Sequence, residues 1–107
     1  LTPVTFGGYS SELKKALDRI IPIVLPFFEI VDGEIHHKLR YESQPVMVAL
    51  GAAEDPMGSE ATTFRGIHRR NMLNMRPPRH AVEVVGTDAN DETVGRALET
   101  LLAEVLQ

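Results

Sequence analysis

Two short apolar runs constrain this chain most. "PVMVALG" at residues 45 to 51 and "AVEVVG" at 81 to 86 each end in glycine, the pattern of a strand buried on both faces, as in a parallel sheet with helices packed above and below. Between them Phe64, Ile67, His68, Asn71, Met72 and Met75 keep the spacing of one helix face, and Pro77-Pro78 predicts its end. A second helix is predicted over residues 11 to 21. Leu13, Ala16, Leu17, Ile20 and Ile21 form its apolar stripe, Ser10 or Ser11 its cap, Glu12 its acidic first turn and Pro22 its stop. A third begins at Asn90 or Asp91, with Val94, Leu98, Leu101, Leu102, Val105 and Leu106 on its inner side.

The order is strand tip, helix, strand, helix, strand, helix, which predicts an α/β fold with a parallel sheet flanked by helices. One segment breaks the rhythm. Some 23 residues separate Pro22 from Pro45, where an ordinary connection takes roughly 2 to 6. Within it "EIVDGEIH" carries Asp32-Gly33 between alternating apolar residues, the signature of a β-hairpin, expected near residues 28 to 37. An ordered excursion of this kind marks a functional or assembly surface.

At 107 residues the chain is expected to be a single domain. Its hydrophobic fraction of 43% is that of a globular protein. It has no cysteine, which excludes disulfides, thiolate catalysis, thiolate zinc and a protein-ligated iron–sulfur cluster within these residues, and fits a cytoplasmic setting. A net charge of -4 argues against nucleic acid as a partner, and no apolar run reaches the roughly 20 residues that span a bilayer.

The candidate binding segment is "TPVTFGGYSS", between a strand tip and a helix N-terminus, the place where open α/β sheets hold their ligands. Gly7 and Gly8 permit close approach of the backbone, Phe6 and Tyr9 offer ring faces, and Thr2 and Thr5 offer hydroxyls. The same glycines also serve a plain turn, with Ser10 a plain cap. His36 and His37 are neighbours on a strand and so point to opposite faces, which opposes a shared metal; no metal site is expected. His68 and Asn71 read as hydrogen-bonded core groups. Arg65, Arg69 and Arg76 read as a solvated or subunit-contact stripe, or as an anion site for the NADPH phosphate or RNA. Met47, Met57, Met72 and Met75 read as gap-fillers of the core.

The stretch "TPVTFGGYSSELKKALDR" resembles the second flavin-binding loop and following helix of the flavodoxin-like NAD(P)H-dependent FMN reductase superfamily. Its members carry a Pro, an aromatic-Gly turn and a Leu-Lys helix ending in Asp-Arg. "LPFFEIVDGEIHHKLRY" and "NMLNM" are similar to a subgroup of flavodoxin family proteins. The resemblance implies that Thr2, Pro3, Val4, Thr5, Phe6, Gly7 and Gly8 wrap the isoalloxazine ring of FMN, that Tyr9 joins them, and that the loop from Gly51 and Ala52 to Glu54 borders the ring from the other side. No stretch here corresponds to the family's loop for the FMN phosphate. The chain is therefore expected to be the C-terminal βαβαβα portion of such a domain.

The activity so implied is hydride transfer from NAD(P)H through FMN to a quinone, a flavin or a small electrophile, in a homo-oligomer. The cofactor does the chemistry, so no acid, base or nucleophile need stand out. The alternatives are an electron carrier of flavodoxin type serving a redox partner, and a non-catalytic assembly module built on the hairpin and the arginine stripe.

Overall fold

The computed structural model describes residues 1 to 107. Local chemistry sets the first helix, α1, at Ser11–Arg19. The Ser10 hydroxyl accepts from the Leu13 N–H (3.3 Å), Glu12 lies in the first turn and Arg19 in the last, where each charge opposes the helix dipole. The helix stops two residues short of the expected Ile21. Pro22 instead sits in a single 3₁₀ turn, Ile21–Ile23, because a proline near the start of a new turn has no N–H to leave unpaired.

The sheet has three parallel strands in the order β1 (Thr2–Pro3), β4 (Met47–Ala53), β5 (His80–Gly86), with Thr2 opposite Gly51 and Gly51 opposite Val84. β4 is central and runs past Gly51, where the sequence placed its end, to Ala53. The ladder continues because Ala52 pairs with Val85 and Ala53 with Gly86, and the glycine itself has a steric reason. A Cβ on Gly51 would stand 2.8 Å from Phe64 Cε1 and 2.9 Å from Val4 Cγ2, so this glycine sits mid-strand to let α2 (Ser59–Met75) settle on the sheet.

Helices α1 and α2 share one face, where Tyr9, Ala53, Ala61, Phe64 and Val84 form a buried cluster with Leu13 and Leu17 packed against it. Helix α3 (Asp91–Leu106) covers the other, with Leu50, Ala81, Val85, Leu101 and Val105 buried together. Asn90 caps α3 by accepting from the Thr93 N–H at 2.9 Å. Of the six residues expected on the inner side of α3, Leu98, Leu102 and Leu106 face outward, and Ala97 packs inward instead. On the outer edge of β5 the Glu83 carboxylate accepts from the Val84 N–H (2.8 Å) and from Arg65 (2.9 Å). A charged side chain thus occupies an amide that would otherwise template further pairing.

The excursion is a separate antiparallel ribbon, β2 (Val24–Val31) and β3 (Glu34–Leu39), longer at both ends than the expected 28 to 37. Asp32 and Gly33 carry φ of 50° and 80°, the two positive angles of the tight turn that matches strand twist. No helix is long and apolar enough to cross a membrane.

Candidate functional site

The carboxyl ends of the three parallel strands carry three loops, and the first is the most constrained. The Val4 N–H donates to Ala52 O at 2.9 Å, which carries β1 up to the rim. Thr5 and Gly8 then exchange two backbone hydrogen bonds, 3.0 and 2.8 Å, around Phe6 and Gly7. Both turn residues have positive φ, 49° and 78°. Gly7 suits that conformation and is also the only residue that fits: a Cβ there would stand 2.7 Å from Thr63 Cγ2. Phe6 does not suit it. A bulky side chain in the left-handed region is a strained outlier, and this one is held there 94% exposed at the tip of the turn.

The turn is seated from below. Thr2 is buried; its hydroxyl accepts from the Ser10 N–H (3.1 Å) and donates to Pro3 O (3.0 Å). Tyr9 is buried too, and its hydroxyl lies 2.6 Å from Nδ1 of His68, with its ring edge-on to Phe64. Burial raises the Tyr9 phenol above its ordinary value, opposed by the Asn71 side chain. Burial, and the nearby charge of His80, hold His68 down to about 4, so its imidazole is neutral at physiological pH.

The ten residues expected around a ring therefore divide. Pro3, Thr5 and Phe6 are exposed, and Val4, Gly8 and Ala52 are half-buried. Thr2, Gly7, Tyr9 and Gly51 are buried and structural. Tyr9 points down into the core because its hydroxyl finds His68 there. Gly51 and Ala52 belong to β4 rather than to the loop after it, which begins at Glu54. That loop is fixed by Asp55, whose carboxylate accepts from the Met57 N–H (2.9 Å) and whose carbonyl accepts from the Gly58 N–H (3.0 Å).

Met57 is 87% exposed on that rim, not a gap-filler of the core; Met72 and Met75 are buried as expected. Its neighbours Pro56 and Gly58, which break both helix and strand, were the only signal in the sequence for this placement.

Two of the three arginines of the stripe are engaged. Arg65 pairs with Glu83 (2.9 Å), and Arg76 pairs with Glu29 and reaches His37 O (3.3 Å). Each of these two carries a carboxylate of its own chain, while Arg69, the third residue of the stripe, is exposed. His36 is buried against Glu34 (3.0 Å), while His37 turns to the opposite face and stacks on Phe28 with ring centroids 4.5 Å apart. No three His, Cys, Asp or Glu side chains come together in a way that could hold a metal ion. The main apolar groove, about 390 Å³, lies away from the rim, beside Leu1 and Leu13 along the amino-terminal half of β4.

What the rim offers chemically is an exposed aromatic face on a rigid turn, a threonine hydroxyl beside it, and on the next loop a thioether and the Asp55 carboxylate, which is held by the Met57 N–H. An exposed aromatic face and a thioether are groups able to stack against a flat ring. No protein-family model, curated protein or solved structure matches this chain.

Proposed function

We propose that the chain belongs to a flavodoxin-like domain and presents the ring-side surface of an FMN site, in a protein that oxidises NAD(P)H and reduces a small electron acceptor. The observation that carries this reading is Phe6, locked at φ 49° and 94% exposed at the carboxyl end of a parallel sheet. Backbone strain and an exposed large aromatic each cost stability, and both are retained here at the position where open α/β sheets place their ligands.

The residues fit the ring. Phe6 supplies a face to lie against the isoalloxazine, and the two hydrogen bonds between Thr5 and Gly8 hold that face at a fixed angle. Thr5 would offer its hydroxyl to a polar atom of the ring, and Met57 its thioether from the adjacent loop. When bound, FMN supplies the group that accepts hydride from NAD(P)H and passes electrons on. This chain's residues orient the ring and keep water from the face that Phe6 covers.

The test is to titrate riboflavin and FMN with the protein and follow flavin fluorescence. Saturable quenching is expected, with closely similar affinity for the two ligands, because the residues identified here grip the ring and not the phosphate. Replacing Phe6 by Ala weakens both by about tenfold, within the range of one aromatic stacking contact. Absence of quenching by the unaltered protein, or an F6A variant that titrates like it, rules the reading out.

A further inference from the structure

The central strand is paired along its whole length on one side and along only half of it on the other. Toward β5 the Met47 N–H donates to Arg79 O, and the Ala53 carbonyl accepts from the Thr87 N–H. Alternation along the strand turns the backbone groups of Val48, Leu50 and Ala52 the other way, toward β1. The Ala52 carbonyl accordingly accepts from the Val4 N–H. Strand β1, however, pairs only with Gly51 and Ala52. The N–H and C=O of Val48 and the N–H of Leu50 are therefore left on an open edge, and Leu50 is only 2% exposed. An amide so placed has neither a strand nor ready access to water, which is a costly state.

That open edge lies in the apolar groove of about 390 Å³, which Leu13 and Leu17 of α1, Met72 of α2, and Met47 and Ala49 of β4 line together with Leu1. The register Thr2 opposite Gly51, carried backward, sets Leu1 opposite Leu50 and the positions before it opposite Ala49, Val48 and Met47.

We infer that this groove seats an extended segment joined to the amino side of Leu1, which prolongs β1 by about four residues parallel to β4. Two observations select this occupant. The first is the spacing of the open backbone groups. They recur at two-residue intervals, about 6.6 Å, which matches another extended backbone and not a compact apolar molecule. The first residue before Leu1 pairs with the Val48 C=O and the Leu50 N–H, and the third with the Val48 N–H.

The second is continuity. Thr2 and Pro3 already fix direction and register on β4. A strand from another molecule would have to end against Leu1, whereas a segment joined to Leu1 continues the ladder unbroken and docks intramolecularly.

The groove also sets a side-chain pattern. Thr2 is buried on the α1 side, where its hydroxyl accepts from the Ser10 N–H. Strand alternation places the first and third residues before Leu1 on that same side, against Leu13, Leu17 and Met72, so these two positions require apolar residues. The second and fourth share the side of Leu1, which is 83% exposed, and tolerate polar ones. This inference does not depend on the flavin reading, since Thr5, Phe6 and Met57 take no part in the groove.

The probe is a four-residue extension at the amino terminus. Thr-Val-Lys-Val before Leu1 sets valine at both groove-facing positions; Val-Thr-Val-Lys, of the same composition, sets valine at both outward ones. The first extension is expected to raise the Tm by about 5 °C and to slow amide exchange at Val48 and Leu50 about tenfold or more relative to the unextended chain. The second is expected to do neither, and so is acetylated Thr-Val-Lys-Val added as a free peptide at millimolar concentration.

Equal effects of the two extensions overturn the inference, as does unchanged exchange at Val48 and Leu50 in the first. Protection by the free peptide equal to that by the joined one overturns it by assigning the edge to a strand of a separate molecule. An unextended chain that sediments as a dimer with both amides already protected overturns it in favour of a second copy.

Discussion

The hydroxyl of Tyr9 lies 2.6 Å from Nδ1 of His68, joining the residue just after the Phe6 turn to the buried side of α2, 59 positions along the chain. Both partners are buried, so the hydrogen bond is made where no water can substitute for it. It ties the rim turn to the core, and removing the hydroxyl leaves a bare imidazole nitrogen. Tyr9→Phe is expected to destabilise the fold by about 1–3 kcal/mol, read as a shift in the urea midpoint at unchanged slope.

The same imidazole makes stability depend on pH. His68 titrates at about 4 in the folded protein against an ordinary 6.5. The unfolded chain therefore takes up the proton first as pH falls. Stability is full above pH 6.5, declines as pH drops from there to about 4, and this contribution is spent below that, a loss of about 3 kcal/mol in all. Urea melts across this window should show the decline, and His68→Gln should remove most of it while leaving the carboxylate titrations in place. An unchanged pH profile in that variant would refute the assignment.

Gly51 is predicted to tolerate no side chain. A methyl group would lie within 2.9 Å of Phe64 and Val4 atoms at once, and neither is the loose end of an exposed chain. Gly51→Ala should cost about 1–3 kcal/mol through overpacking. Combined with Phe64→Leu, which vacates part of that space, it should cost less than the two single changes added together. Thermal melts of the four proteins complete the cycle.

At Arg76 two roles can be separated. Its backbone caps α2 in the left-handed conformation, φ 56° and ψ 49°, with its N–H donating to Met72 O at 2.7 Å, while its guanidinium holds Glu29 of the ribbon. Arg76→Gly loses the ion pair and relieves the backbone; Arg76→Ala loses the pair and keeps the strain. The glycine variant should be the more stable of the two by about 1 kcal/mol. Amide exchange in β2 and β3 should accelerate to the same extent in both.

Phe6 yields a prediction of opposite signs. Phe6→Gly removes a strained, exposed aromatic, so the stability of the protein should rise by up to about 1 kcal/mol. Riboflavin affinity should nevertheless fall by about tenfold, as for Phe6→Ala. A calorimetric melt and a fluorescence titration on one preparation measure both. Affinity that tracked stability instead would separate Phe6 from any role in binding.

Sequence alone determined the features that depend on neighbours in the chain. The Ser10 and Asn90 caps, the positive-φ turn at Asp32-Gly33, the opposed faces of His36 and His37, and the helical and strand runs all follow from periodicity, capping and turn chemistry within a few residues. The exposed Phe6 turn was legible to that extent: its glycines and its position before a helix marked it.

Tertiary structure decided the rest. Only the stacking of α2 on β4 explains why Gly51 lies mid-strand beneath Phe64. Only the meeting of α1's leading loop with α2 turns Tyr9 inward to His68. Only the packing of α2 against β5 and of the ribbon against α2 gives Arg65 and Arg76 their carboxylate partners, Glu83 and Glu29. These contacts join residues from 13 to 59 positions apart. Nothing in the local composition encodes them, because their energies arise from shape and charge that exist only once the layers are assembled.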